Sequence, residues 1–313
     1  MQPAAHPNRD LALQQLWSFC LVFEKQSYSA AAREIGVSVP TIWEQVQGVE
    51  QRYRIQLFER KRQRVYPTPA ATVLYDSLRP LLNGFDSTYD LLREHEGEFP
   101  RTLTLAVGAR MLLEDLGPGI KRFCESHPHV HLRLLDRDAK AAAELVAAGE
   151  ADLGLGLEPG PGVLDAGVAT ERAYRIEYMA VFPKRHSLAR KSSLSLAELA
   201  EQPLIVGHTR TPGRQLLDQA FHRAGLRKPL SIVAETDNSA CTIACVQAGM
   251  GVGVVAGRAT GVLCRTLATR SLRSQLGDAW IAFLSKRGTH LTLTVQSLIR
   301  CIRDTIERPK LGR

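Results

Sequence analysis

The side chains best able to do chemistry in this chain of 313 residues are cationic. Between Arg52 and Arg64, six basic residues (Arg52, Arg54, Arg60, Lys61, Arg62 and Arg64) stand against one acid, Glu59. Such a segment suits phosphate oxygens, because neutralising a polyanion releases its condensed counterions. A charge run alone is more often a solvated face, so its meaning depends on what it adjoins. A second set lies in four short segments, Gly108-Ala109-Arg110-Met111, Asp136-Arg137-Asp138, His208-Thr209-Arg210-Thr211 and Thr236-Asp237-Asn238-Ser239. Each follows an expected strand and precedes an expected helix. Ligands of open α/β sheets bind at such places, where helix N-termini present amide hydrogens without partners. Arg110, His208 and Arg210 would favour a carboxylate or another anion there, unless those arginines point to bulk water.

Other constellations lead nowhere. The run GVGVVA, Gly251 to Ala256, matches a dinucleotide fingerprint, but that motif must follow a strand and open a helix. Here it follows a helix and itself reads as strand. His127, His129 and His131 alternate with Val130 and Leu132, so they are expected on the solvent face of a strand rather than around a metal. Cys20, Cys124, Cys241, Cys245, Cys264 and Cys301 include no CxxC pair and read as reduced, mostly buried thiols. Cys241 and Cys245 share a helix face, and packing explains them. Asp136 and Asp138 lie in a loop with Arg137 between them, and nothing demands an acid/base pair. HExxH, GxSxG and P-loop patterns are absent, so the reading is of no enzyme, no metal and no cofactor.

The elements that must position these residues begin after an irregular tail, residues 1–9. A helix is expected from about Asp10 to Lys25, with Leu13, Leu16, Phe19, Cys20 and Phe23 at helical spacing. Its apolar run from Leu16 to Phe23 imitates a signal peptide but is short and flanked by Gln15 and Glu24. Ser27-Tyr28-Ser29 offers the N-cap, Ser29 in preference to Ser27, of a short helix ending near Ile35, and Gly36 a stop. Ser38 caps a third helix with Pro40 in its first turn and Ile42, Val46 and Val49 inward. Two helices joined by a tight glycine turn make a helix-turn-helix, whose second helix is sized for the major groove. That neighbour gives the basic segment Arg52–Arg64 its meaning. After Pro69 a long helix carries Leu74, Leu78, Leu81, Phe85 and Leu92 at heptad spacing, a seam suited to dimerisation.

From Arg101 onward, strands alternate with helices. RTLTLAVGA, VHLRLLD and ADLGLGL read as strands, with MLLEDLGPGIKRFCESHP a helix broken at Gly117-Pro118-Gly119 and AKAAAELVAAGE a second helix. YRIEYMAVFP, PLIVGH, LSIVAE and WIAFLSK supply further strands, and a last helix runs about Val295 to Ile306. This rhythm implies a largely parallel sheet flanked by helices.

The chain resembles the LysR-type transcriptional regulators. The resemblance is carried by Phe19, Ser27, Ala31-Ala32, Val37-Ser38, Pro40, Gln45, Glu50, Leu57-Phe58-Glu59-Arg60 and Thr68-Pro69-Ala70. It continues through Pro128, Glu144, Ala148-Gly149-Glu150, Asp152-Leu153, Phe182-Pro183, Pro203-Leu204 and Ala248-Gly249-Met250-Gly251, covering about Asp10 to Ile306. The resemblance implies an α/β protein with an all-α N-terminal domain. In order these are a winged helix-turn-helix (10–69), a linker helix (70–96) and a two-lobed, periplasmic-binding-protein-like effector domain (101–313). Lobe one would take 101–168 plus 269–313, and lobe two 169–268. It further implies DNA contact from Ser29, Ser38, Val39, Pro40, Thr41, Trp43, Glu44, Gln45, Arg60, Lys61, Arg62 and Arg64. Effector contact would come from Ala109, Arg110, Met111, Arg137, His208, Thr209, Arg210, Asp237 and Asn238. Implied partners are double-stranded DNA, a small effector (an anion if Arg110, His208 and Arg210 face it), further copies of the chain as dimer or tetramer, and RNA polymerase.

Departures from the family pattern gather at the start of the recognition helix. The family has Gln, Ser and Arg or Lys where this chain has Val39, Trp43 and Glu44, and Gly where it has Ala71. Val39 and Trp43 can pack on a thymine methyl, and Glu44 can accept from cytosine N4. Arg62 and Arg64 stand where glycine is frequent, so affinity shifts from helix to wing. Trp43 as half-buried core is the competing possibility.

Composition agrees with this without leading to it. The 44% hydrophobic content excludes a disordered chain, and no apolar run approaches the ~20 residues of a membrane span. A soluble, cytoplasmic protein is expected. Net charge is +8, yet residues 1–70 hold nine basic and six acidic residues, while Arg52–Arg64 alone carries +5. Two rivals stay open at this level: a solute sensor with a degenerate DNA unit acting through protein partners, and an enzyme on the same two-lobed scaffold.

Overall fold

The computed structural model describes residues 11–61, 64–158, 167–226, 230–259 and 261–307. The expected tail at 1–9 lies outside them, as do Asp10 and Arg62. The chain divides into two compact units, Met1–Leu92 with Arg287–His290, and Arg93–Lys286 with Leu291–Arg313.

In the first unit, α1 (Leu13–Lys25), α2 (Tyr28–Ile35) and α3 (Val39–Tyr53) pack around Phe19, Val22, Ile42, Val46 and Val49, all fully buried. Ser27, not Ser29, is the N-cap of α2, its hydroxyl accepting from the Ala30 amide at 3.2 Å. Ser29 lies inside the helix. The helix starts two residues earlier than expected because Tyr28, at its first position, has its ring buried against Phe58. Gly36 ends α2 at a φ of 70°, a left-handed conformation that costs glycine little. An antiparallel hairpin follows, β1 (Phe58–Lys61) with β2 (Arg64–Pro67). Thr68 then caps α4 (Pro69–His95), its hydroxyl accepting from Ala71 N and donating to Gln56 O.

The second unit is built on one mixed sheet with the order β4-β3-β5-β11-β6-β9-β7-β8, and β10 beside β6. Two parallel groups stand at its ends. The first is β3 (Thr102–Val107), β4 (His131–Asp136) and β5 (Leu153–Leu157), with α6 (Gly117–Ser126) and α7 (Ala139–Ala148) among its connections. The other is β7 (Leu204–Gly207), β8 (Ile232–Thr236) and β9 (Val252–Gly257), connected through α9 (Pro212–Arg223) and α10 (Ser239–Gln247). Long antiparallel strands join them: β6 (Val168–Pro183), β10 (Leu267–Ser271) and β11 (Asp278–Lys286), with the short helices α8 (Leu196–Ala200) and α11 (Arg273–Leu276) in the connections. The terminal helix α12 (Leu293–Glu307) packs on α6, where Gly119 lies so close that a Cβ would stand 2.9 Å from Cys301 O.

Several expectations change. The sheet is parallel only within its two groups. The helix after β3 is not broken at Gly117. It runs as α5 (Ala109–Met111), a π-helical turn at Leu112–Leu116, and α6, with Pro118 tolerated in the first turn of α6. Only His131 of the three histidines lies on a strand, while the His127 ring stacks on Phe123 at 4.6 Å. Half the cysteines are buried (Cys20, Cys264, Cys301), whereas Cys124 and Cys241 are exposed. Burial pushes the Cys20 thiol up to about 12 and Cys264 to about 11, so neither forms a thiolate near neutrality. The segment after Gly251 is strand, as expected, over Val252–Gly257. Among the described residues no helix is long and apolar enough to cross a membrane.

Candidate functional site

In the first unit, the Ser38 hydroxyl accepts from Thr41 N at 3.2 Å and bonds the Thr41 hydroxyl at 2.7 Å, which fixes the start of α3. With Ile42, Val46 and Val49 turned inward, the first two turns present Val39, Pro40, Trp43 and Glu44 outward. Trp43 and Val39 are each 43% exposed, and Trp43 is absent from the residues packed on the core, which disposes of the buried reading. Gln45 departs from expectation. Its side-chain carbonyl accepts from the Ser18 hydroxyl and so braces α3 against α1. Thr41 is half-buried and Ser29 exposed.

The hairpin pairs Lys61 with Arg64 across its tip and leaves the Arg64 side chain exposed. Arg62 and the side chains of Arg60 and Lys61 fall outside the described residues. What aims the hairpin is Glu50 on α3, whose Oε1 accepts from Leu57 N at 2.6 Å and Phe58 N at 3.1 Å. Composition hides this residue among polar ones, and only its place in the family pattern marks it. On α4 the heptad seam divides. Leu74 and Leu78 pack on the unit's own core, while Leu81, Phe85 and Leu92 are exposed together with Val73 and Tyr89.

In the second unit, a cavity of about 200 Å³ opens at the carboxyl ends of β3, β4, β7 and β8. It collects Gly108, Ala109, Arg110, Met111, Arg137, Asp237 and Asn238 of the expected set. His208, Thr209 and Arg210 are not in its lining. They form a turn closed by Thr211 N donating to His208 O, which carries Thr209 and Arg210 out to solvent. The lining takes the next residues instead: Thr211, the N-cap of α9, with Pro212, Gly213 and Arg214. Sequence reasoning also missed the floor, made by Tyr178 and Ile176 of β6 with Leu157, Val254 and Ile281. All but Leu157, the last residue of β5, sit mid-strand, where only the sheet order brings them under the loops.

The arginines are not presented as expected. Arg110 is 7% exposed, and its Nη1 donates to Asp115 at 2.9 Å and Glu114 at 3.1 Å. The Tyr174 hydroxyl donates to the same Asp115 oxygen, and Glu114 accepts from Leu263 N. Burial works to lower the Arg110 pKa, but Asp115, Tyr174 and Glu114 outweigh it and leave it raised. Burial and the Asp115 charge likewise hold the Tyr174 phenol protonated. Arg214 donates to Asp218 and Glu235. Arg137 is exposed, with Nη1 on the Asp136 carbonyl. Among the described residues no group of His, Cys, Asp and Glu could hold a metal ion.

Two family models match this chain. One, described as the LysR substrate binding domain, covers residues 96–307. The other, a bacterial regulatory helix-turn-helix protein of the lysR family, covers residues 13–72. The HTH-type transcriptional regulator SsuR of Burkholderia cenocepacia is 26% identical over 239 residues, 76% of each chain. The transcriptional activator protein LysR of Escherichia coli is 28% identical over 249 residues, 78% of this chain and 76% of that one. In fold, the chain matches the crystal structure of HinK, a LysR family transcriptional regulator from Pseudomonas aeruginosa. That match has a TM-score of 0.55 and 20% identity, covering 95% and 99% of the two chains. With both units matched in their order along the chain, the protein belongs to the LysR family of DNA-binding transcriptional regulators with an effector-binding domain.

Proposed function

We propose that the start of α3 enters the DNA major groove, that the β1–β2 hairpin lies along the phosphate backbone, and that a small molecule in the α/β cavity controls this binding. The observation that carries the reading is the outward set Val39, Pro40, Trp43 and Glu44 on a helix capped by Ser38, beside a basic hairpin held by Glu50. Val39 and Trp43 would read thymine methyls and Glu44 a cytosine amine, while Arg60, Lys61, Arg62 and Arg64 neutralise phosphates. The effector shifts DNA binding only as far as its affinity differs between two arrangements of the protein. The exposed row Leu81, Phe85 and Leu92 on α4 suits pairing with a second copy, giving dimers or pairs of dimers with two reading helices. The domain divisions at 10–69, 70–96 and 101–313 and the lobe border near 168 belong to the same reading. So do a cytoplasmic location and contact with RNA polymerase.

The affinity of the full-length chain for its own upstream DNA is expected to fall steeply with salt, log K losing about 0.9 per phosphate neutralised and per tenfold in salt. Arg64→Ala should weaken all sequences alike and flatten that slope by about one unit. A flat response between low and moderate salt contradicts the hairpin's role.

A further inference from the structure

The lining of the cavity in the second unit bears on the charge of the ligand it can hold. Charge decides first. Three arginines line it, but two are already ion-paired: buried Arg110 to Glu114 and Asp115, and partly buried Arg214 to Asp218 and Glu235. With Asp138 and Asp237 also in the lining, six carboxylates stand against three guanidinium groups. An anion placed here meets more carboxylates than guanidinium groups, two of which, Arg110 through Nη1 and Arg214 through Nε and Nη1, already bond carboxylates. One amide at each of three helix N-termini is taken as well. Asp138 caps α7, Thr211 caps α9 and Asn238 caps α10, each side chain accepting from the third residue of its helix.

One polar group remains that no neighbour satisfies. Tyr178 is 2% exposed and lies on the cavity floor, yet its hydroxyl makes no hydrogen bond among the described residues. Its ring is held beneath the start of α9, where the close approach at Gly213 leaves 3.0 Å between Tyr178 Cε1 and the place a Cβ would take. Burial pushes the phenol up to about 12, so it meets a ligand as a neutral O–H that can donate or accept. A hydroxyl that lines the cavity without a protein partner is free to bond a ligand's hydrogen-bonding group. The rest of the floor is Ile176, Leu157, Val254 and Ile281. A cavity of about 150 Å³ holds a benzene ring. The 200 Å³ here therefore admits one ring, or an alkyl chain of that bulk, with one small substituent.

We infer that the effector is an uncharged, largely apolar molecule carrying one hydroxyl, carbonyl or amide group that hydrogen-bonds to Tyr178, not an anion. This deepens the proposed role of the cavity and rests on it.

The test is calorimetry and thermal shift on the full-length chain with matched probes of one skeleton: benzyl alcohol and benzamide against benzoate, with inorganic sulfate as a fourth. The two neutral probes are expected to bind and to raise the unfolding midpoint. Benzoate and sulfate should bind at least tenfold more weakly. Tyr178→Phe, which keeps the ring, should unfold at the parent's midpoint without ligand and bind the neutral probes several-fold more weakly. Tighter binding of benzoate or sulfate, no neutral binding at millimolar concentration, or equal affinity in Tyr178→Phe overturns the inference. DNA binding by the same samples separates the two claims. Neutral probes that bind without changing DNA affinity leave the ligand class standing and remove the control by effector. An anion that binds and changes DNA affinity does the reverse.

Discussion

Arg110→Met is expected to destabilise the second unit by about 3–5 kcal/mol, the cost of breaking a buried ion pair by removing one partner. The geometry explains the size. In an ordinary helix, residues four and five positions after Arg110 would point in different directions. The π-helical turn at Leu112–Leu116 brings both Glu114 and Asp115 to one guanidinium, and both carboxylates are buried. Met fills the volume of the arginine stem but leaves two carboxylates facing each other in a dry site. Protonation is their remaining escape, so their pKa values in the folded variant rise above those in the unfolded chain. A carboxyl group that binds its proton more tightly when folded gains stability as pH falls. The deficit of Arg110→Met should therefore shrink between neutral pH and pH 5. Denaturant unfolding followed at both pH values checks size and direction. Adding Glu114→Gln and Asp115→Asn should recover much of the loss, because the buried charges go while the acceptor for Leu263 N remains. A loss below about 1 kcal/mol, the level of a surface ion pair, would mean the cluster is solvated.

Glu50→Ala carries the second large effect, and it is felt in DNA binding. The Glu50 carboxylate is the acceptor for the amides of Leu57 and Phe58, at the point where the chain turns from α3 into the hairpin. Both residues are buried, so each amide left without an acceptor costs about 1–3 kcal/mol. The segment will relax to find water, and the hairpin loses its aim. DNA affinity should fall tenfold or more, about 1.4 kcal/mol for each factor of ten. Glu50→Gln keeps a side-chain oxygen at the same place and should retain most of the affinity. Equal losses in the two variants would point to the charge of Glu50 instead. Titration of each variant against one DNA duplex at fixed salt distinguishes these outcomes.

Periodicity made most elements legible, since Ile42, Val46 and Val49 can share a face only on a helix, and Val252 to Val255 reads as strand from composition alone. Local rules failed where tertiary packing chose between equals. Ser27 and Ser29 are both sound caps, and the burial of Tyr28 against Phe58 selects Ser27. The turn His208–Thr211 could have presented any of its residues, and its closing hydrogen bond moves the lining from Arg210 to Arg214. No spacing rule announces the π turn, because Gly117 and Pro118 look like a break whether or not the helix continues. Arg110 was legible as a pocket residue but its occupation by Glu114 and Asp115 was not. That is why the sequence suggests an anionic ligand where the reading of the cavity proposes a neutral one. The hidden roles of Glu50 and Tyr178 share a cause. Each acts through a contact that residue type and periodicity do not announce: Glu50 through the amides of the turn after α3, Tyr178 through a cavity that only the sheet order creates.

The central claim is that this chain reads DNA through the exposed start of α3. Selection from a random duplex pool by the full-length protein, compared with Trp43→Ala, tests it most directly. The parent chain should enrich a motif with two related half-sites. Trp43→Ala should lose preference at one or two positions in each half, at about 1–3 kcal/mol per position, while binding unselected DNA as before. No enriched motif, or the same motif from both proteins, would contradict the claim and leave protein partners as the target of this surface.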